Sequence, residues 1–277
     1  MFRVEIPRGA FVDCFGNPRL WLIQFFANPI LFGLLVAWLF IPVASNLHLI
    51  LNLLLAIVLL AATFALHGGT LNTFADRQAS PAATLWPAFR RGLVHLIPVA
   101  ICVAAFCLLW FYIDKLELYQ PMFPPYVRSN FPVWLRRHIT LPTLDHLFSI
   151  AIFIFRWILA PGLLLPFLAQ AADRGFRGFG KAGLVAWKNT VFSLSYWLVL
   201  VVAVLLGVLA TEKLMAAKPN FKTSTTHAEA FSLAWRLSLS YFLGLFSWML
   251  TSSIVARCAA TAGNSKNVSG NPAVQPT

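Results

Sequence analysis

Acidic residues are scarce in this 277-residue chain: nine Asp and Glu stand against 21 Lys and Arg, and charged residues make up only 11%. So little charge excludes an ordinary soluble surface. It also leaves few carboxylates for acid/base chemistry, and those present, from Glu5 and Asp13 to Glu212 and Glu229, stand singly at the ends of apolar runs or in connectors. Cysteine is equally sparse. Cys14, Cys102, Cys107 and Cys258 form no CxxC and no Cys/His pair, so neither a metal site nor a disulfide framework is expected. No cofactor motif and no catalytic residue emerge. The first residues lack the profile of a cleaved secretory signal, which leaves targeting to the first membrane helix.

What the chain has in abundance is apolar length. Hydrophobic residues reach 59% and the mean hydropathy is +0.76. About 20 apolar residues cross a hydrocarbon core, and six runs of that length fall near 20–44, 47–66, 92–113, 147–170, 191–211 and 231–256. The fold class expected is therefore all-α: a polytopic helical membrane protein of about six transmembrane helices in one domain, residues 1–261. Residues 262–277 lack apolar periodicity and are expected to form a disordered tail. Asn28-Pro29 and Pro98 are expected to bend their spans, and Ser80-Pro81 to start a helix. Residues 114–145, rich in Pro and aromatics, read as an interfacial loop with a short amphipathic helix around Pro132–Ile139.

The net charge of +12 is concentrated in short connectors beside the spans. In a soluble protein it would suggest nucleic acid. Here it points to anionic lipid headgroups, with Trp86, Arg90, Arg91, Trp187 and Lys188 as interfacial anchors and no nucleic-acid partner. The richer basic face carries both termini, and the positive-inside rule makes it cytoplasmic in a multi-pass cell (inner) membrane protein. The two basic connectors also resemble each other. Ala75-Asp76-Arg77 matches Ala172-Asp173-Arg174, Ala88-Phe89-Arg90 matches Ala186-Trp187-Lys188 after one inserted residue, and Lys115-Leu116 matches Lys213-Leu214. That pattern suggests a duplicated hairpin.

Two residues depart from ordinary span composition. Arg156 and Arg236 lie inside apolar runs, where an arginine costs about 2.5–3.5 kcal/mol at mid-membrane on insertion scales. They mark a candidate anion or lipid-headgroup site, or else they snorkel to the interface. No acidic residue inside a span is available to pair with Arg156. Gly175 to Lys181 has the GxxxxGK spacing of a phosphate loop, but Ala182 stands where the metal-binding hydroxyl belongs and a span precedes it instead of a strand. His48 and His95 read as structural hydrogen bonders. Ser and Thr of the sixth span, with Ala61, Ala65 and Gly69 of the second, read as close-packing positions. Asp145-His146 with Arg136 to His138 is the one external acid/base cluster in the sequence.

The ADR motif after a span, followed by AFRR or AWKN entering the next, resembles uncharacterised bacterial multi-pass membrane proteins related to the membrane domain attached to glycerophosphodiester phosphodiesterases. The resemblance covers roughly residues 47–215 and brings no catalytic residues, since the soluble barrel of those fusions has no counterpart here. It implies a helical membrane module. Three functions follow as expectations: a non-enzymatic module binding lipid, a membrane-protein partner or a second copy of itself; a transporter or channel for an anionic substrate; and a lipid-modifying membrane enzyme.

Overall fold

The computed structural model describes residues 5–42, 44–80, 84–217 and 226–268, and all regular structure among them is helical. Six helical segments are long and apolar enough to cross a membrane: Pro18–Leu39, Asn46–Ala79, Leu96–Glu117, Leu141–Phe179, Leu194–Ala216 and His227–Ala260. The protein is thus an all-α, polytopic helical membrane protein. The spans alternate between a basic end, which carries the chain's N-terminal helix and the two basic connectors, and a far end, which carries the long connection.

Helix α1 (Glu5–Phe15) precedes the first span. Its Ala10 and Cys14 are buried against the last helix, while Phe15 stacks on Trp21 with ring centroids 6.3 Å apart. The first span, α2 (Pro18–Leu39), starts where the Asn17 side chain accepts the Leu20 amide at 3.2 Å and Pro18 takes the first helical position. Pro29 lies inside it. A proline has no amide hydrogen to offer the carbonyl four residues back, and that carbonyl, Phe25 O, instead accepts the Tyr241 hydroxyl at 2.9 Å.

The second span, α3 (Asn46–Ala79), is longer than expected. It runs 34 residues, through His67-Gly68-Gly69 and on past the 47–66 run. Those glycines are helical because α4 (Leu85–Val94) crosses there: a Cβ on Gly92 would lie 2.8 Å from Gly69 N. Ser80 caps the end of α3 through its own amide to Asp76 O, and α4 begins at Leu85, so the helix start expected at Ser80-Pro81 is displaced; Pro81 itself lies outside the described residues. The third span, α5 (Leu96–Glu117), is separated from α4 at His95, whose φ/ψ of −94°/27° is not helical. The bend expected at Pro98 therefore falls three residues earlier. Pro98 sits in the first turn, where a missing amide hydrogen costs nothing.

Two short helices, α6 (Phe123–Ser129) and α7 (Val133–His138), fill the long connection, the second at the site expected for an amphipathic helix. The fourth span is α8 (Leu141–Ile154), a π-helical turn π1 (Phe155–Leu159), α9 (Ala160–Arg174) and a 3-10 turn (Gly175–Phe179). A proline at 161, just past π1, accounts for the widening: its ring cannot coexist with a regular α-turn behind it. After α10 (Lys181–Val191), the fifth span repeats the device, with α11 (Leu194–Val204), π2 (Leu205–Ala210) and α12 (Thr211–Ala216). The last helix, α13 (Thr226–Val268), extends seven residues into the stretch read as a tail, and residues 269–277 lie outside the described residues.

α13 is the hub. Its most apolar window is 56% buried, against 11% for the first span. The main core joins α13 residues Met249, Leu250 and Ile254 to Tyr196 and Leu200 of α11 and to α1. Hydroxyls serve this packing: Ser247 donates to Ala203 O at 2.7 Å and Ser253 to Ala10 O at 3.0 Å. Both are interhelical bonds of the kind expected from the Ser/Thr content of this span.

Candidate functional site

At the basic end the two connectors meet. Asn72 of α3 donates to Ala88 O at 3.2 Å and to Ala172 O at 3.0 Å, and His95 Nδ1 donates to the same Ala172 carbonyl at 2.8 Å. A carbonyl only accepts, so the proton of that bond resides on Nδ1. Arg91 then bridges the two matching aspartates, hydrogen-bonded to Asp76 and 3.8 Å from Asp173. The bond to Asp76 raises the Arg91 guanidinium above its ordinary pKa. His95 is accordingly structural. The glycines of the GxxxxGK stretch are structural as well. Gly175 adopts φ +60°, and a Cβ on Gly178 would lie 2.3 Å from Gln170 O, so they permit a tight turn packed against α9.

Of the expected anchors, Trp86, Arg90 and Lys188 are exposed on α4 and α10. Arg91 and Trp187 instead face protein. Trp187 Nε1 donates to Leu163 O at 2.8 Å while its ring stacks on Phe167, which fastens α10 to α9.

The far end corrects the reading of Arg156. Its guanidinium lies 2.5 Å from Asp114 and 2.6 Å from Glu117, both at the end of the third span. The absence of an acidic partner inferred from the sequence was a matter of axial offset. α8 extends past the end of α5, as the Gln120 bonds to Asp145 and Ser149 (2.9 Å each) show, so Arg156 is level with carboxylates that belong to the neighbouring helix's last turn. Trp110 lies 5.5 Å from the same guanidinium, in cation–π range. Arg236 is not part of this group. It donates to Met215 O and Ala217 O, closing the end of α12, and to Ser232 O. The external acid/base cluster is not assembled either: Asp145 is held by Gln120, His138 by Trp134 O, and Arg136 by the carbonyls of Ser129 and Phe131.

Around Arg156 two cavities adjoin. An outer one of about 570 Å³ has Arg156, Glu117, Thr211 and Glu212 among its walls. An inner one of about 360 Å³ lies between the third, fourth, fifth and sixth spans and is lined by apolar side chains such as Phe106, Leu165 and Val204, with Gly244 on its α13 wall. Trp157 of π1 and Val208 of π2 border both. The two irregular turns therefore flank the junction. Helices widened by π-turns are frequent at functional sites, and polar groups opening onto an apolar chamber suit an amphiphile. Sequence reasoning singled out Arg156 but missed Glu212, Thr211 and the chamber, which arise only when four helices are brought together.

A third cavity of about 590 Å³ lies between the first, second and sixth spans, with Asn28, His67 and Tyr241 in its wall. Beside it Gln24 bonds Thr70, and Asn28 donates to Gln24 Oε1 at 2.7 Å. Among the described residues no group of three or more His, Cys, Asp or Glu is placed to hold a metal ion. No protein-family model, curated protein or solved structure matches the chain.

Proposed function

We propose that the protein is a lipid-binding membrane module that takes an amphiphilic molecule between its third, fourth, fifth and sixth spans. The observation that carries this reading is the pairing of two neighbouring cavities that share Trp157 and Val208 as walls: a chamber lined mainly by apolar side chains, sized at the lower end of small-molecule pockets, and beside it a polar one walled by Arg156, Glu117 and Glu212. An acyl or isoprenoid chain fits the first and a headgroup the second. The resemblance to the membrane modules of phosphodiesterase fusions implies a helical membrane module and assigns it no role of its own. The parallel order of helix, amphipathic helix and span in α3–α5 and α9–α11 favours duplication of that hairpin.

We place the basic end on the cytoplasmic side of a cell membrane, with Arg90, Lys188 and Arg177, all exposed, meeting anionic headgroups there. The reading is tested by native mass spectrometry after release from mild detergent. A Cβ on Gly244 would meet nothing within 4 Å, so Gly244→Leu fills the inner chamber without disturbing the helix. Wild type is expected to retain one lipid-sized adduct and Gly244→Leu to lose it. Equal retention by both overturns the reading.

A further inference from the structure

We propose that the lipid held in this cavity carries an ammonium group in its head, as an ethanolamine-type phospholipid does, and that Glu212 receives it. The inference rests on the lipid-binding reading and reverses the anionic preference that Arg156 suggests from sequence. The argument is a balance of charge at one place. Among the described residues Arg156 is the sole cation on the wall of the outer cavity, and Asp114 and Glu117 already cover it at 2.5 and 2.6 Å. Glu212 of α12, also on the wall of this cavity, is exposed and has no ion-pair or hydrogen-bond partner among the described residues. Two carboxylates thus hold one guanidinium, and a third, Glu212, shares its cavity. A head with net negative charge entering here faces Glu212 and Glu117 with no free cation to balance it; an ammonium head finds Glu212 free and Glu117 beside it.

Two further atoms at the site are buried without a partner: Thr211 Oγ1, next to Glu212, and Arg156 Nε. Buried polar atoms are normally hydrogen-bonded, and unsatisfied ones point to an unseen group. A phosphate–ammonium head supplies both kinds of partner. Its N–H donors reach carboxylate and hydroxyl oxygens, and its phosphate oxygens accept from a guanidinium N–H. The chain continues past Trp157 and Val208 into the apolar chamber. A quaternary choline head has the same charge but no N–H to donate, so it is the discriminating comparison.

The test is competition in native mass spectrometry, with the full-length protein equilibrated in mixed micelles holding equal amounts of ethanolamine, choline and glycerol phospholipids with identical acyl chains. Wild type is expected to retain the ethanolamine lipid at least five-fold over each competitor. Glu212→Gln is expected to erase that preference, whereas Lys115→Gln, at the same end but outside the cavity, keeps it. Retention dominated by the anionic glycerol lipid, no headgroup preference, or a preference unchanged in Glu212→Gln overturns the ammonium assignment while leaving lipid binding standing. No retained lipid of any kind overturns both. Because Glu212 is exposed and bonded to nothing described, its neutral isostere does not threaten folding, and an unchanged elution profile checks that.

Discussion

Single residues show where the sequence speaks and where it falls silent. Arg156 was recognisable as an exception to span composition, but its partners lie 42 and 39 positions away on another helix, and only the relative height of two helices decides whether they meet. Removing the arginine leaves two carboxylates without their cation. Each carboxylate is about half exposed, so solvent screens the loss, and Arg156→Leu is expected to destabilise by only about 1 kcal/mol. Adding Asp114→Asn and Glu117→Gln to the same chain should restore most of it, as a thermal-unfolding comparison in detergent would register. Tyr241 offers a cleaner case. Its hydroxyl serves a carbonyl that Pro29 leaves vacant, so Tyr241→Phe is expected to cost about 0.6–1.7 kcal/mol, the range for interhelical bonds in membranes. In a Pro29→Ala background, where an amide takes over that carbonyl, the cost should shrink. A double-mutant cycle that finds the two changes additive would contradict the pairing.

At the level of elements, apolar length revealed every span but not their interruptions. The π-turns at Phe155–Leu159 and Leu205–Ala210 have no composition of their own; they arise from how one helix accommodates a proline and another passes α13 at Gly207, where a Cβ would lie 2.7 Å from Ser247 Oγ. Likewise α1 has little helical periodicity and is held by tertiary partners. Arg257 lies 2.5 Å from Asp13, Gln78 donates to Asp13 at 2.7 Å, and Arg77 donates to Gly16 O at 3.1 Å. This docking buries Cys14 and, by desolvation first and the adjacent Asp13 second, pushes its thiol from 9.0 up to about 12. A pKa raised on folding means the docked state holds a proton that the undocked state releases. The stabilisation is complete below about pH 9 and is lost as pH climbs towards 12. Maleimide labelling of Cys14 should therefore be slow at pH 7.5 and accelerate above pH 9 more steeply than for a free thiol. Asp13→Asn, which weakens the anchor, should speed labelling already at pH 7.5.

For the molecule as a whole, the distribution of charge was legible from the start, because basic residues gather in short connectors and apolar residues in runs. The cavities were not, since each needs three or four helices that are distant in sequence. Orientation yields a direct check: a single cysteine placed at Arg137, exposed on α7, should react with a membrane-impermeant reagent in intact cells, and one placed at Arg90 should react only after the membrane is opened. The opposite pattern would invert the topology.

The first two spans also behave as a mechanical part. Near the basic end they are clamped by Gln24, Thr70 and Tyr241; beyond Gln24 the first span buries no residue, and from Asn46 to Val58 neither does the second, though Trp38 Nε1 fastens the pair together at Asn52 O, 3.1 Å away. This is a cantilever about 20 Å long, from Gln24 to Leu39 at 1.5 Å per residue, fixed at one end and loaded by lipid along its length. Thinning or thickening the bilayer is expected to tilt its free tip about the buried amide and hydroxyl cluster at its root.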